Sequence, residues 1–126
     1  MEAGEKMPKL LVVDDELDVR EFAKNFFKRR KLDVFVAGSG EEALQIIDKE
    51  NPDLVLLDVR LGQMDGIEVL RQMRKKGNNT PVIMVTGVNE SETMNKAREL
   101  GVAEYVHKPL ILEELEKIVL AKILKK

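Results

Sequence analysis

The sequence contains no cysteine, and it contains a single histidine. The lack of cysteine excludes a disulfide framework and any metal site built from thiolate ligands. The single histidine, His107, has no second imidazole with which to share a metal ion. Because His107 falls within a predicted strand, the sequence favours a packing role for it.

Long apolar runs and an excess of charge of either sign are also missing. No apolar run approaches the ~20 residues that a membrane span needs, and the polar start 1–6 lacks the apolar core of a signal peptide. With 21 basic and 23 acidic residues the net charge is -2, so neither nucleic acid nor an anionic membrane is favoured as a partner. We predict a cytoplasmic protein.

The length of 126 residues is sufficient for one domain with a full core and too short for a second domain of ordinary size. We predict an N-terminal tail at residues 1–8 and a single domain at residues 9–126. Because no DNA-binding or enzymatic segment follows the last predicted helix, we expect either a stand-alone protein or a piece of a longer one.

Within this domain, short apolar runs alternate with segments of helical periodicity. The runs predicted to be strands are Leu10–Val13, Asp33–Ala37, Asp53–Asp58, Pro81–Thr86 and Ala103–His107. The segments predicted to be helical are centred on Val19–Phe27, Ala43–Ile47, Ile67–Met73, Met94–Leu100 and Leu112–Leu124. Repeated βα units with right-handed crossovers imply an α/β fold, a doubly wound parallel sheet with helices on both faces.

Two local patterns refine the helices. Phe22, Phe26 and Phe27 lie at helical spacing, and we predict that this stripe belongs to the core. Ser39, followed three residues later by Glu42, predicts a capping box at the start of the second helix.

Acidic residues stand at the carboxyl ends of the most apolar strands. The run Leu54–Leu57 has no polar alternation, which is typical of a strand buried on both faces, and Asp58 ends it. Asp14 and Asp15 end the equally apolar run Leu10–Val13. In open parallel sheets the ligand crevice lies outside the carboxyl ends of the strands. If these two strands are neighbours in the sheet, the three carboxylates converge on one crevice.

Such a cluster needs a cation, because like charges about 4 Å apart repel by roughly 4 kcal/mol at an effective dielectric constant of ~20. Oxygen ligands of this kind suit Mg²⁺. Thr86 and Lys108 end the fourth and fifth predicted strands, so a hydroxyl and an ammonium group lie at the same edge of the sheet. A metal, an ammonium group and a hydroxyl together can hold phosphoryl oxygens. The set favours phosphoryl transfer.

From Lys9 to Lys126 the sequence resembles the receiver domain of two-component response regulators. The resemblance rests on Asp14–Asp15, Asp58, Asp65–Gly66, Thr86–Gly87, Tyr105 and Lys108–Pro109. The resemblance implies a flavodoxin-like fold with five strands in the order 2-1-3-4-5 and five helices. The sequence departs from the family at Gly62, where a proline is common, and we expect a more mobile loop there.

The resemblance implies a signalling switch that catalyses its own phosphorylation and dephosphorylation, rather than a metabolic enzyme. Asp58 would accept a phosphoryl group from a phosphohistidine on a histidine kinase or phosphotransfer protein. Mg²⁺ would be held by Asp14 or Asp15 with Asp58 and the backbone carbonyl of Arg60.

The remaining implied roles concern the signal. Lys108 and Thr86 would contact the phosphoryl oxygens, and Thr86 with Tyr105 would switch the surface formed by the fourth helix, fifth strand and fifth helix. The output partner is open, and a phosphorylation-dependent dimer is allowed. Arg60 and Val88 flank the predicted entrance for attacking water and would tune the phosphoryl lifetime. The fourth helix, with few apolar anchors, is the expected moving part.

Other interpretations of these motifs remain open. Asp14 and Asp15 could be helix-capping acids, and Thr86 an ordinary helix cap. Gly38–Ala43 matches a dinucleotide-binding pattern, although Glu41 and Glu42 would repel a pyrophosphate at the helix N-terminus. An aspartyl-phosphate phosphatase of the haloacid dehalogenase type is a further alternative, although that family wants an acid where Arg60 stands. The last alternative is a receiver fold that binds partners without phosphorylation.

Overall fold

A computed structural model describes residues 7–87 and 91–124, and strands alternate with helices throughout this part of the chain. The strands are β1 (Lys9–Val13), β2 (Asp33–Ala37), β3 (Leu54–Asp58), β4 (Val82–Thr86) and β5 (Glu104–His107). The helices are α1 (Leu17–Lys28), α2 (Gly40–Glu50), α3 (Gly66–Lys75), α4 (Ser91–Glu99) and α5 (Leu112–Ile123). In the described residues no helix is both long and apolar enough to cross a bilayer.

The strands form one parallel sheet in the order β2-β1-β3-β4-β5, which confirms the predicted doubly wound α/β fold. Leu57 of β3 lies opposite Val13 of β1 and Met84 of β4, so the carboxyl ends of these three strands lie side by side. All five residues of β3 and of β4 are buried, as their uninterrupted apolar runs predict. The sheet therefore brings Asp58 to the edge of a fully buried centre.

The core has two layers because alternate residues of each strand face opposite sides of the sheet. Leu11 and Val13 pack with the layer that includes residues of α2, α3 and α4, whereas Leu10 and Val12 pack with α1 and α5. Burying an aliphatic or aromatic side chain of this size stabilises the fold by roughly 1.5–3 kcal/mol. The predicted tail is tied to this sheet at its end, since the carbonyl of Pro8 accepts a hydrogen bond from the Asp33 backbone; residues 1–6 lie outside the described residues.

The prediction that the phenylalanines of α1 form one core stripe is wrong for Phe22. Ala23 and Phe27 are buried, but Phe22 is 62% exposed. The packed face of α1 runs through Ala23 and Phe27, so the Phe22–Phe26 pair lies on its flank. Phe26 is half-buried and covered by the guanidinium of Arg30, whose carbon lies 3.6 Å from the ring centroid. Phe22 is left as an exposed aromatic on α1.

The predicted capping box forms with one change of partner. The Ser39 hydroxyl accepts from the Glu42 backbone N–H at 3.1 Å. The Glu42 carboxylate accepts from the Gly38 backbone N–H at 2.8 Å, rather than from Ser39. At its other end α2 stops at Asn51, which adopts a left-handed conformation with φ of 50°. The helix therefore ends at Glu50, two residues before Pro52, and Asn51 forms an αL cap.

Helix α4 is weakly anchored, as its sparse apolar pattern predicts. Ala97 is the one fully buried residue among Ser91–Glu99. Its C-terminal end is held from outside the helix, because the Arg74 guanidinium of α3 donates to the carbonyls of Leu100 and Gly101 at 2.7 and 3.3 Å. The same guanidinium also donates to two carbonyls in the loop before β4. These bonds hold the C-terminal end of α4 in place.

Candidate functional site

The three predicted acids lie together at the carboxyl edge of the sheet. Asp14 and Asp58 are each 4% exposed, and Asp15 is exposed. One carboxylate oxygen from each of the three lies within 4.8 Å of the others. The parallel register of β1 and β3 produces this cluster, since Val13 pairs with Leu57 and the acids follow directly.

Asp14 is held in place by its backbone and its side chain. Its N–H donates to the Ala37 carbonyl at 3.1 Å, and its Oδ1 accepts from the Glu16 N–H at 2.9 Å. The N-cap position of α1 is Glu16, which makes no side-chain capping bond. The interpretation of Asp14 and Asp15 as helix caps is therefore wrong, and their convergence with Asp58 needs another explanation.

Asp58 is fixed by two donors. Its Oδ1 accepts from the Arg60 backbone N–H at 3.1 Å, and its Oδ2 accepts from the Lys108 ammonium at 2.7 Å. The same Lys108 ammonium lies 3.7 Å from the Oδ2 of Asp14. Lys108 thus brings one positive charge to two buried carboxylates.

The Asp65–Gly66 pair supports the backbone of Asp58. Asp65 caps α3 by accepting from the Glu68 N–H at 3.0 Å. The Gly66 N–H donates to the Val59 carbonyl at 2.7 Å. A Cβ at position 66 would overlap the carbonyl of Asp58, so only glycine fits there. The start of α3 therefore packs directly behind the acid.

The charges of the site act on one another. The pKa of Asp14 is raised to about 6, chiefly by burial and also by the neighbouring Asp58, against the lowering effect of the Glu16 backbone bond. Burial alone would lower the pKa of Lys108, but its hydrogen bond and charge contact with Asp58 raise it above its ordinary value. Without a further cation, Lys108 is the positive charge that the described structure places against Asp14 and Asp58.

Thr86 ends β4, the strand next to that of Asp58, and Tyr105 lies on β5 opposite Met84. Thr86 is 1% exposed, and its carbonyl accepts from the Lys108 N–H at 2.7 Å. The alternative of a helix cap is not supported for Thr86, because α4 begins only at Ser91. Tyr105 is half-buried against the α2–α4 layer. His107 is exposed, with its ring 5.6 Å from that of Tyr105, so its predicted packing role is wrong; it lies where β5 leaves the core.

The loop after Asp58 differs from the pattern common in receiver domains. Gly62 has a φ of +85°, which a proline ring cannot adopt. The backbone at position 62 therefore has a conformation that is incompatible with proline. Arg60 is exposed at this loop, whereas Val88 lies outside the described residues.

The dinucleotide alternative fails at its glycines. The N–H of Gly38 and that of Glu42 are bonded to the Glu42 and Ser39 side chains. A Cβ at Gly40 would meet the Met64 sulfur at 2.8 Å and Val69 at 3.0 Å, so this glycine serves close packing. The donors that a pyrophosphate needs are occupied, and acids stand beside them.

The acid cluster is a chemically suitable magnesium site. All its donors are oxygen atoms, two of the three acids are buried, and the third faces solvent, from which a metal can keep water ligands.

Sequence patterns alone missed Arg20 of α1, which donates to the Asp14 carbonyl at 2.8 Å. The signal was present, since a cation in the first turn of a helix opposes the helix dipole.

Comparison with known proteins agrees with this geometry. The family model for the response regulator receiver domain matches residues 10–120. Sporulation initiation phosphotransferase F of Bacillus subtilis (strain 168) is 37% identical over 111 residues, which are 88% of this chain and 90% of that protein. Regulatory protein AtoC of Escherichia coli (strain K12) is 40% identical over 88% of this chain but only 24% of its own length.

Solved structures show the same similarity. The Francisella response regulator 1452 receiver domain has a TM-score of 0.85 and 34% identity, covering 92% of this chain and 96% of that one. A CheY-like response regulator receiver domain protein from Methanospirillum hungatei JF-1 has a TM-score of 0.89 and 27% identity, with 94% of each chain covered.

The raised pKa of Asp14 predicts a stability that depends on pH. The folded state holds this proton more tightly than the unfolded chain, so ionisation destabilises the fold as pH rises from about 4 to about 6. The full cost above pH 6 is roughly 3 kcal/mol. Asp14→Asn should therefore raise the free energy of unfolding at pH 7 by up to that amount and change it little at pH 4, as measured by urea denaturation without divalent metal.

The exposed acid Asp18 of α1 provides the matched control, and Asp18→Asn should not reproduce the gain at pH 7. Adding Mg²⁺ should raise the Tm of the wild type and have a much smaller effect on Asp14→Asn, because a ligand stabilises the state that binds it. An Asp14→Asn protein no more stable than wild type at pH 7 would contradict the electrostatic account of the cluster.

Proposed function

Because this chain belongs to the response regulator receiver domain family, we propose that it is a phosphorylation switch that accepts a phosphoryl group on Asp58. The observation that carries the proposal is the placement of one buried carboxylate between an ammonium and two further acids. Asp58 Oδ2 lies 2.7 Å from Lys108 Nζ, and the cluster with Asp14 and Asp15 spans at most 4.8 Å.

In the proposed reaction the phosphorus–nitrogen bond of a phosphohistidine breaks as a bond forms between phosphorus and a carboxylate oxygen of Asp58. The histidine nitrogen leaves with its electron pair. The Lys108 ammonium would donate to one phosphoryl oxygen instead of to the carboxylate, and the Thr86 hydroxyl would donate to a second phosphoryl oxygen. The residues that would hold Mg²⁺ are Asp14 or Asp15, Asp58 and the Arg60 carbonyl, and the bound metal would neutralise phosphoryl oxygen charge.

The protein that donates the phosphoryl group needs a surface beside Asp58, and an apolar groove offers one. The groove has a volume of about 230 Å³ and lies between α1 and residues 108–115. It is lined by Phe22, Val19 and Leu112, among others, and by Lys108 itself. The donor histidine must come within about 3–3.5 Å of an Asp58 oxygen, so the donor must cover the surroundings of Lys108. We propose that a helix of the phosphohistidine protein docks on this groove.

The output of the switch lies outside the described site. The chain spans 24% of the AtoC protein and 45% of the transcriptional regulatory protein PhoP of Bacillus subtilis (strain 168), to which it is 39% identical. By analogy with such regulators, phosphorylation would change the α4-β5-α5 surface and so the affinity for an output segment, a second copy of the chain or a separate protein. Helix α4 is suited to move because its burial is slight.

The phosphatase alternative has less support. A haloacid dehalogenase-type enzyme needs a second acid two residues after the nucleophile, where an exposed arginine, Arg60, stands. A receiver fold that works without phosphorylation would not need the Lys108–Asp58 bond or the three converging acids. The labelling experiment that follows separates a receiver fold that works without phosphorylation from the proposal.

We expect Asp58 to be the sole phosphoacceptor when the protein meets acetyl phosphate and Mg²⁺. Only this carboxylate lies between the acid pair and Lys108, where the transferred group can be flanked on both sides. Intact-mass spectrometry should show one added phosphoryl group on the wild type and none on Asp58→Asn. Asp53→Asn, altered at the opposite end of β3, should label as the wild type does. Equal labelling of Asp58→Asn would refute the assignment.

The docking groove predicts a change that depends on the donor. Phe22→Ala should raise the KM for a phosphorylated histidine phosphotransfer protein about 10-fold, since burying an aromatic side chain contributes roughly 1.5–3 kcal/mol. The rate with acetyl phosphate should stay unchanged, because a small donor needs no groove. Leu124→Ala, which removes a comparably exposed apolar side chain at the far end of α5, should alter neither rate. Loss of both reactions in Phe22→Ala would point to a folding defect instead of docking.

The proposed switch predicts where the backbone responds. Beryllofluoride, which mimics the phosphoryl group, should alter amide hydrogen exchange mainly between Gly87 and Leu112 in the wild type. In Thr86→Ala the change should stay near Asp58, because the hydroxyl that would donate to the new oxygens is gone. Thr80→Ala, before the start of the same strand, should behave as the wild type. An undiminished change in Thr86→Ala, or a response centred on α1 and α2, would exclude this route.

A further inference from the structure

Arg20 lies in the first turn of α1, where its charge opposes the positive end of the helix dipole. Its guanidinium reaches back to the segment after β1, and Nη1 donates to the Asp14 carbonyl at 2.8 Å. Arg20 is half-buried, so this bond is sheltered from solvent. The position costs helix stability, and the bond to Asp14 offsets that cost.

Gly38, in the loop after β2, makes room for the guanidinium. A Cβ at Gly38 would lie 2.8 Å from Nη1 and 3.1 Å from Cζ of Arg20. Backbone freedom does not explain this glycine, because its φ is outside the left-handed range. Arg20 therefore lies between the Asp14 carbonyl and the Gly38 backbone, and it links α1 to two loops at the carboxyl edge of the sheet.

With this bond Asp14 is held by three contacts. Its N–H donates to Ala37, its carbonyl accepts from Arg20, and its Oδ1 accepts from the Glu16 N–H. These contacts leave Oδ2 as the oxygen that faces Lys108, at 3.7 Å. The orientation of the acid thus depends on a side chain that does not itself approach the reacting group.

We propose that Arg20 is a positioning residue that orients Asp14 for metal binding, and that position 38 is a glycine because a side chain there would keep the guanidinium from the Asp14 carbonyl. The inference rests on the proposed function, since it assigns a role toward the magnesium site. Residues that orient ligands in this way typically change metal affinity by 10–100-fold when they are replaced.

The sign of the effect separates positioning from simple charge. Removing a cation near an acid cluster should strengthen Mg²⁺ binding if only Coulomb forces act. Positioning predicts the reverse, a Kd for Mg²⁺ about 10-fold higher in Arg20→Met. Gly38→Ala keeps every charge, and its methyl group would displace only the flexible end of Arg20. It should therefore weaken Mg²⁺ binding in the same direction.

The experiment measures the Kd for Mg²⁺ by isothermal titration calorimetry on the wild type, Arg20→Met, Gly38→Ala and the double variant. The double variant should match Arg20→Met, since the added methyl group has nothing left to displace. Arg30→Met is the matched control, because Arg30 directly follows the C-terminal cap of α1 and also donates to a carbonyl, that of Phe26 at 2.8 Å. It should leave the Kd unchanged. Amide hydrogen exchange without metal should be faster at Asp15 and Glu16 in Arg20→Met.

The outcomes are distinct. If the wild type binds no Mg²⁺, the proposed function fails. If the wild type binds Mg²⁺ and Arg20→Met or Gly38→Ala binds it equally well or more tightly, the positioning role is refuted while the function stands. A lowered Tm with an unchanged Kd would assign Arg20 to stability alone and would also refute the proposal.

Discussion

The mutual repulsion of buried carboxylates is the constraint on which this structure depends. Two unit charges about 4 Å apart cost roughly 4 kcal/mol at an effective dielectric constant of ~20, and Asp14 and Asp58 are both 4% exposed. The parallel register of β1 and β3 forces them together, and Lys108 on the β5 side supplies the nearest opposite charge. A site held in this balance favours an added cation, and in the proposed switch this preference would couple metal binding to the fold.

The same balance of charges explains how phosphorylation of Asp58 could change the surface at α4. In the proposed switch, phosphorylation removes one carboxylate charge and adds acceptor oxygens, so Lys108 and Thr86 gain new partners. α4 is suited to move because Ala97 is the one fully buried residue of Ser91–Glu99, while the Arg74 bonds hold its C-terminal end. A partner that prefers the moved helix would by linkage favour phosphorylation.

The sequence predicted the fold and the acid cluster because both follow from strand ends. Uninterrupted apolar runs located β1 and β3, and the acids that end these runs meet at one edge because the two strands are neighbours. Patterns failed where tertiary packing decides: Phe22 has the spacing of a core residue, yet the buried face of α1 turns through Ala23 and Phe27. Arg74 was missed because its partners are backbone carbonyls, which carry no residue-specific signal.

The two layers of the core also place the proposed docking groove and α4 on opposite sides of the sheet. The groove beside Lys108 belongs to the α1 and α5 layer, whereas α4 packs on the opposite side of the sheet. Lys108 and Thr86 lie at the carboxyl ends of adjacent strands, and the Lys108 N–H bonds the Thr86 carbonyl. In the proposed switch, a donor docked on α1 would therefore leave the α4 side of the sheet uncovered. The α4 surface could then change before the donor leaves, so release of the donor need not precede binding of the output partner.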